Sequence, residues 1–445
     1  MDRLCWTIPI LWMAFSCGPP EDGFYAFAVA DPDRHTVLVQ DDGFDLLTEA
    51  LADKVIAAYL IYCDEKVEPP ASPAPAAQSF EEAKRSFIDD MAQADESCFL
   101  AAGMYLHKSR SFERIAPFRE RWNAALRSGS FMAQFPGREL DRARKVATVL
   151  DGEEKYIYHG TFTAGLIAVD NPRVQLVLIQ KPLSSVQQLV SEYTCLDPTT
   201  FALDLQVLSD PEAQQAYVER PLTRLERDID QVIDRHRVGF INQSFVTLGR
   251  ATRERLQSDH DCPAVDLHKL LKLQNELLQR KEKHRKEAGL TAAQAHLTIQ
   301  AAGNESALID TLADSRECSG IKQDTLVVGA VDKDRMPTSF TNQGNCVDLY
   351  TFGQDLIVPA PDDFNHVVSG TSFSVPFLIR ALTLDHSPEE TRDQIRQSLL
   401  SELDVHRVYW DAGRFDQFAY RVAGLDQGNV LPLISSSQAL YADPP

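Results

Sequence analysis

The sequence predicts an α/β protein with three layers, in which a mainly parallel, twisted sheet carries helices on both faces. The chain of 445 residues is 44% hydrophobic and 24% charged, as is ordinary for a soluble globular protein. From about residue 140, short apolar runs alternate with longer segments of helical spacing. Strands separated by helices are typical of right-handed βαβ units, which build parallel sheets covered on both faces.

The N-terminus predicts export, with residues 1–17 as a signal peptide. Leu4 to Phe15 is an apolar run of twelve residues after Arg3, too short to span a bilayer as a mature helix but suited to a signal peptide. Cys17 and its neighbours resemble the end of a bacterial lipoprotein signal, so we expect no integral membrane span and a possible lipid anchor at Cys17. The expected location is periplasmic, outer-membrane-anchored or extracellular. The alternative is a buried N-terminal element of a cytoplasmic protein.

Residues 18–138 are interpreted as a separate N-terminal α+β region, either a prodomain or an accessory domain. The runs "YAFAVA" and "HTVLVQ" predict short strands, and "FDLLTEALADKVIAAYLIY" has helical spacing. The proline- and alanine-rich stretch at 68–79 favours a linker or long loop. We expect the main domain to occupy 139–424 and a C-terminal tail to occupy 425–445.

Several predicted strands of the main domain end on chemically useful side chains. Strands are predicted in "KVATVLDG" (145–152), "VQLVLIQ" (174–180), "VGFINQSFV" (238–246), "LTIQAAGN" (297–304) and "TLVVGAVD" (325–332), and a helix in "HGTFTAGLIAV" (159–169). Parallel sheets place their sites at the carboxyl ends of the strands. The chain supplies there, in order, Asp151, His159, Asn304 and Ser372.

These four residue types fit acyl transfer by a serine. A serine nucleophile needs an imidazole base, a carboxylate that orients the base, and donors for the developing oxyanion. Taken alone, each residue is more readily explained as a helix cap or a turn former, as Ser372 before an apolar helical run illustrates. The surrounding sequence words favour the catalytic interpretation.

Those words resemble the subtilisin-like serine proteases. "HGTFTAGLIA" is similar to the family's histidine motif HGTHVAGxIA, "SGTSFSVP" to its serine motif GTSMAxP, and "IQAAGNES" to its AAGN segment. The resemblance covers about 140–424 and implies a serine endopeptidase with Ser372 as nucleophile, His159 as base, Asp151 as orienting acid and Asn304 in the oxyanion hole. The order Asp, His, Ser is that of subtilisin.

The resemblance also implies where an extended polypeptide substrate binds. "GFINQSFVTLG" is similar to the strand that lines the family's substrate cleft, so Asn242, Gln243 and Ser244 are expected to contact substrate, as are Ala302 and Gly303. Phe162, Phe373 and Ser374 depart from the family motifs. Only eight positions separate Asp151 from His159, which leaves Asp141 and Asp170 as alternative acids. The rival function is an inactive subtilisin fold used for binding or assembly.

Charge and cysteine content limit the partners. The 44 basic and 65 acidic residues give a net charge of −21, so we expect no nucleic-acid partner. No CxxC pair occurs, and His260, Cys262 and His268 have no zinc spacing, so we predict no metal and no cofactor. Apart from Cys5 and Cys17, six cysteines remain, which permit disulfides in an oxidising compartment in any of fifteen pairings.

Overall fold

The computed structural model describes the parts of the chain that surround one central sheet. The described residues are 24–41, 43–60, 82–87, 119–127, 158–180, 210–219, 224–244, short parts of 272–287, 296–309, 324–360, 363–401, 404–410 and 415–422. The predicted signal peptide at 1–17 and the predicted tail at 425–445 lie outside them.

Twelve strands are described. They are β1 (Phe24–Ala26), β2 (His35–Asp41), β3 (Val55–Leu60), β4 (Val174–Gln180), β5 (Phe240–Gln243), β6 (Leu297–Ala301), β7 (Thr325–Val331), β8 (Leu349–Phe352), β9 (Leu356–Pro359), β10 (Asn365–Val368), β11 (Asp404–Trp410) and β12 (Phe415–Val422). Ten of them form one sheet in the order β1-β3-β4-β2-β5-β6-β7-β8-β12-β11, and β9 and β10 form a separate hairpin. The strands from β3 to β12 in that order are parallel, whereas β1 and β11 are antiparallel edges. The predicted mainly parallel sheet is confirmed.

Seven helices are described with the strands. They are α1 (Glu49–Ala52), α2 (Arg119–Arg127), α3 (His159–Ala168), α4 (Pro211–Glu219), α5 (Arg224–His236), α6 (Thr371–Asp385) and α7 (Arg392–Ser401). Further helical residues occur at 82–87 and within 272–287. Among the described helices, none is both long enough and apolar enough to cross a membrane.

The two faces of the sheet are covered by different helices. Val37 and Val39 of β2 belong to one large apolar cluster with residues of α3 and α6. Leu38, which points to the other face, packs instead with Val232 and Ile233 of α5. Successive strand side chains point to opposite faces, so β2 needs apolar residues throughout, and its continuous apolar run meets that need. Helices on both faces, as the sequence predicts, are confirmed.

The sheet corrects the domain boundary predicted between residues 138 and 139. Strand β2 lies inside the sheet, where Val37 pairs in parallel register with Leu176 of β4 on one side and Phe240 of β5 on the other. Strand β3 pairs with β4. Strands that share one ladder cannot belong to separately folded units, so residues 24–60 are part of the main domain. The predicted boundary follows the alternating pattern that begins at about residue 140, whereas the sheet also includes the earlier strands β1, β2 and β3.

Candidate active site

A carboxylate and an imidazole meet at the carboxyl end of β2. His159 begins α3, and its Nδ1 lies 2.7 Å from Asp41 Oδ1 and 2.9 Å from Asp41 Oδ2. Asp41 is the last residue of β2, and its side chain is 5% exposed. A carboxylate that accepts the Nδ1 proton fixes the tautomer of the ring and leaves Nε2 free to take up a proton. This pair can therefore serve as an oriented general base.

Helix α3 is attached to the turn that follows Asp41. The Thr161 amide donates to the Gly43 carbonyl at 2.9 Å, and the Thr161 hydroxyl donates to the same oxygen at 3.1 Å. The Asp45 amide donates to the Thr161 hydroxyl at 2.7 Å. From the neighbouring strand β4, Gln180 Oε1 accepts the Gly43 amide at 2.9 Å. These bonds fix the position of the first turn of α3, and with it His159, relative to Asp41.

A second group of polar residues lies between the end of β10 and the start of α6. Gly370 precedes the helix with φ of 155° and ψ of 155°, a backbone conformation essentially restricted to glycine. The next residue, Thr371, donates its amide and its hydroxyl to Asn304 Oδ1, at 2.8 and 3.0 Å. Because Thr371 occupies the carbonyl oxygen of this amide, the Asn304 Nδ2 group is the part left to donate to a bound molecule. Ser372 follows Thr371 and is half-buried.

The residue after Ser372 contacts the imidazole. The Phe373 ring lies 5.3 Å from the His159 ring, centroid to centroid, with the planes tilted by 45°. Phe373 is 1% exposed, so it forms a fixed apolar wall beside His159. Ser372 thus stands between a residue that contacts Asn304 and one that contacts His159. The structure brings together the three residues that the sequence singled out as nucleophile, base and oxyanion donor.

The side-chain amide of one buried asparagine holds the loop that carries Asn304. Asn342 is fully buried, and its Nδ2 donates to the Ala302 carbonyl at 2.8 Å and to Glu305 Oε2 at 2.7 Å. Its Oδ1 accepts the amides of Glu305 and Ala307, at 3.2 and 2.8 Å. An asparagine side chain whose donor and acceptor atoms are all hydrogen-bonded holds a loop in one conformation. Each lost bond would leave a buried polar group without a partner, which costs free energy.

The predicted substrate-contacting residues fall into two groups. Asn242 and Ser244 are both buried and bind each other through their side chains at 2.9 and 3.1 Å, while Gln243 is half-buried at the end of β5. The side chains of Asn242 and Ser244 therefore support the end of β5 from inside. The part of this segment beyond residue 244 lies outside the described residues.

Ala302 and Gly303 lie directly before Asn304 and act through their backbone. The Ala302 amide donates to the Val328 carbonyl at 2.9 Å, and the Gly303 amide donates to the Thr371 hydroxyl at 3.1 Å. Gly303 adopts a φ of 99°, in the left-handed region that favours glycine. Both residues are buried. They fix the approach of the Asn304 loop to the start of α6.

The acid predicted from sequence and the acid seen beside His159 differ. Asp151 and its alternative Asp141 lie outside the described residues, and Asp170 is exposed beyond the far end of α3. Asp41 holds the Nδ1 position instead. The signal for it was present, because "HTVLVQD" is an apolar strand that ends on a carboxylate, as "VATVLD" is. The same run lies in the region predicted to be a separate N-terminal unit, which the sheet shows to be part of the main domain.

Comparisons with known proteins find a family match and a related serine protease. The family model of the subtilases, peptidase family S8, matches residues 35–412, a range that begins at β2. An intracellular serine protease of Paenibacillus polymyxa is 35% identical over 88 residues, which are 20% of this chain and 27% of that protein. The match therefore spans about a quarter of the length of that curated relative.

Solved structures that are similar to the chain have low sequence identity and low TM-scores. A cold-adapted subtilisin-like serine proteinase is 13% identical, with 89% of this chain and 91% of that chain covered and a TM-score of 0.38. The prenylagaramide maturation protease PagA is 16% identical, with 84% and 86% covered and a TM-score of 0.35.

Proposed function

The chain belongs to the subtilase family of peptidases, and we propose that it is a serine endopeptidase that cleaves extended polypeptides through an acyl-enzyme. The observation that carries the proposal is the bond from His159 Nδ1 to Asp41, 2.7 Å long, in a site that also presents Ser372 and Asn304. An oriented imidazole beside a half-buried serine and an amide donor supplies the groups that serine acyl transfer requires.

In the proposed mechanism, the Ser372 hydroxyl attacks the substrate carbonyl while His159 Nε2 takes its proton. The tetrahedral oxyanion accepts hydrogen bonds from Asn304 Nδ2 and the Ser372 amide. His159 then returns the proton to the leaving amine, and water hydrolyses the acyl-enzyme by the same steps in reverse. Asp41 keeps the imidazole in the correct tautomer and stabilises its protonated form. Asp41 takes the orienting role that the sequence alone had suggested for Asp151.

Labelling by a fluorophosphonate probe tests the nucleophile. Wild-type protein should be labelled, Ser372→Ala should not, and labelling should survive in Ser374→Ala. Ser374 is a matched control because its buried hydroxyl lies in the same helical turn, 3.5 Å from the Thr351 carbonyl. Labelling of Ser372→Ala at the wild-type level would remove Ser372 from the mechanism. Absence of labelling in folded wild-type protein would contradict the enzyme proposal and favour the inactive binding fold.

We further propose that the protein is exported, as residues 1–17 suggest, and that Cys17 carries a lipid anchor. The state of Cys346 supports export, because this cysteine is disulfide-bonded and 2% exposed. Structural disulfides persist in oxidising compartments and are rare in the cytoplasm. Fractionation of the producing cell tests the location: recovery with the membrane or outside the cytoplasm supports the proposal, and recovery from the cytoplasm with reduced Cys346 contradicts it.

A further inference from the structure

A third side chain contacts the carboxylate that orients His159. The Thr163 hydroxyl lies 3.0 Å from Asp41 Oδ2, and Thr163 is fully buried. Thr163 follows His159 by four positions in α3, and residues four apart lie on the same face of a helix, one turn from each other. Both residues therefore reach Asp41 from one face of α3, His159 through Nδ1 and Thr163 through Oγ1.

The Thr163 hydroxyl has another acceptor within its own helix. Its Oγ1 also lies 3.2 Å from the Gly160 carbonyl, three residues earlier. A threonine in a helix commonly satisfies its hydroxyl in this way. The helix therefore does not need Asp41 to satisfy Thr163, and the shorter contact to a charged oxygen is an added interaction. The histidine motif quoted above has valine at this position, a side chain of similar shape without the hydroxyl.

We propose that Thr163 is a positioning residue for the Asp41–His159 pair, a role that rests on the proposed peptidase function. By donating to Asp41 Oδ2, Thr163 holds the carboxylate so that Oδ1 stays aligned with His159 Nδ1. The donated bond also partly compensates the negative charge of the carboxylate, which moderates the attraction between the carboxylate and a protonated imidazole. Thr163 thereby acts through Asp41 on the base and touches neither substrate nor the reacting atoms.

Removing the hydroxyl has two measurable consequences. A carboxylate that lacks this donor is less well aligned, so kcat should fall, while KM should stay near the wild-type value because no substrate contact is lost. The carboxylate also carries more of its charge towards the ring and favours protonated His159, so the acidic limb of the kcat/KM profile should move to higher pH. Thr163 contacts Asp41, Phe373 contacts His159, and Gln180 lies beside Asp41 on the neighbouring strand. None of these three side chains titrates, so none of them can itself shift the acidic limb.

The test compares Thr163→Val, Thr163→Ser and Thr383→Val on a peptide substrate. We expect Thr163→Val to lose about tenfold in kcat, the order of one hydrogen bond to a charged group, with an upward shift of the acidic limb. Thr163→Ser should restore both values towards wild type. Thr383→Val is the structural control: it removes a fully buried helical hydroxyl that bonds to the Ile379 carbonyl and to Asn171 beyond the far end of α3, so it should lower thermal stability and leave the acidic limb in place.

A second readout does not depend on catalysis. The proton on His159 Nδ1, shared with Asp41, should give a strongly deshielded proton NMR signal, and Thr163→Val should displace it relative to wild type and Thr163→Ser. An unchanged signal, or wild-type kcat and pH profile in Thr163→Val, overturns the proposal. An acidic limb that moves equally in Thr383→Val also overturns it. If wild-type protein proves inactive, the peptidase proposal fails, while the NMR comparison still decides the role of Thr163.

Discussion

Asp41 and His159 are 118 positions apart in the chain, yet Asp41 Oδ1 lies 2.7 Å from His159 Nδ1. The sheet makes this contact possible, because β2 runs between β4 and β5 and delivers its last residue to the edge where α3 begins. The segment between β3 and α3 therefore separates Asp41 and His159 in the chain but not in space. Several measurable consequences follow from this arrangement.

The first consequence concerns processing of the N-terminus. Removal of residues 18–138 would delete β1, β2 and β3, and with them Asp41, so the active form must retain the chain from His35 onward. Mass spectrometry of active protein should give a mature N-terminus before residue 35. An active form that begins near residues 138–145 would contradict the placement of β2 inside the catalytic sheet.

Asn304 should matter for the transition state more than for substrate binding. We expect Asn304→Leu to reduce kcat by about 10²- to 10³-fold with little change in KM; this magnitude is carried over from the equivalent donor of subtilisin. Asn304→Asp is the sharper variant, because it keeps an oxygen for Thr371 but has no N–H to donate. Steady-state kinetics of both variants test the role, and wild-type kcat in Asn304→Asp would exclude a donated bond from this side chain.

Stability should fall in mild acid through His236. Burial lowers the pKa of His236 to about 4, and the positive charge of neighbouring Arg235 contributes. The pKa in the unfolded chain is about 6.5, so below that pH the unfolded state binds the proton more readily. The contribution of this group is intact above pH 6.5 and is lost as the pH falls towards 4, by up to about 3 kcal/mol.

Chemical denaturation at several pH values measures the contribution of His236 to the free energy of unfolding. His236→Gln should show a flatter decline of the unfolding free energy between pH 7 and pH 4 than wild type. Tyr59→Phe removes the hydroxyl that lies 2.6 Å from His236 Nε2 but leaves the ring buried, so it should keep most of the pH dependence. Equal slopes for His236→Gln and wild type would show that His236 is not the group responsible.

The disulfide at Cys346 should stabilise the loop that carries Asn304. The Cys346 amide donates to the Ile309 carbonyl at 3.2 Å, and the side chain packs with Ala302 and Ile309. Disulfides in extracellular domains typically contribute about 2–5 kcal/mol. We expect a reducing agent to lower the thermal midpoint and the activity of wild-type protein, and to have a much smaller effect on Cys346→Ser. Identical midpoints for oxidised and reduced wild type would refute the stabilising role.

The site residues that could be predicted from sequence are those that lie within a recognisable local motif. Gly370, Thr371 and Ser372 are consecutive, and the backbone conformation before α6 arises from these adjacent residues, whereas Asn304, which Thr371 contacts, comes from 67 positions earlier in the chain. His159 likewise starts the helix that its motif predicts. Local sequence determines local geometry, so these positions could be predicted without knowledge of the rest of the fold.

The acid could not be placed in the same way, because its partnership depends on strand order. Nothing in "HTVLVQD" indicates that β2 inserts between β4 and β5. A long segment separates β3 from α3, which makes the early strands look like a different domain. The strand-like run that ends on Asp151 resembles the family's aspartate strand, whereas the sheet brings Asp41 to His159 from a distance in the chain.

The most direct test of the account compares kcat/KM for Asp41→Asn and Asp151→Asn in protein shown to be folded. Loss of the carboxylate that orients the base should lower activity by about 10⁴-fold, the magnitude established for this change in well-studied serine proteases. We predict that loss for Asp41→Asn and activity within a few-fold of wild type for Asp151→Asn. The reverse result, with Asp41→Asn active and Asp151→Asn inactive, would contradict the assignment of Asp41 as the partner of His159.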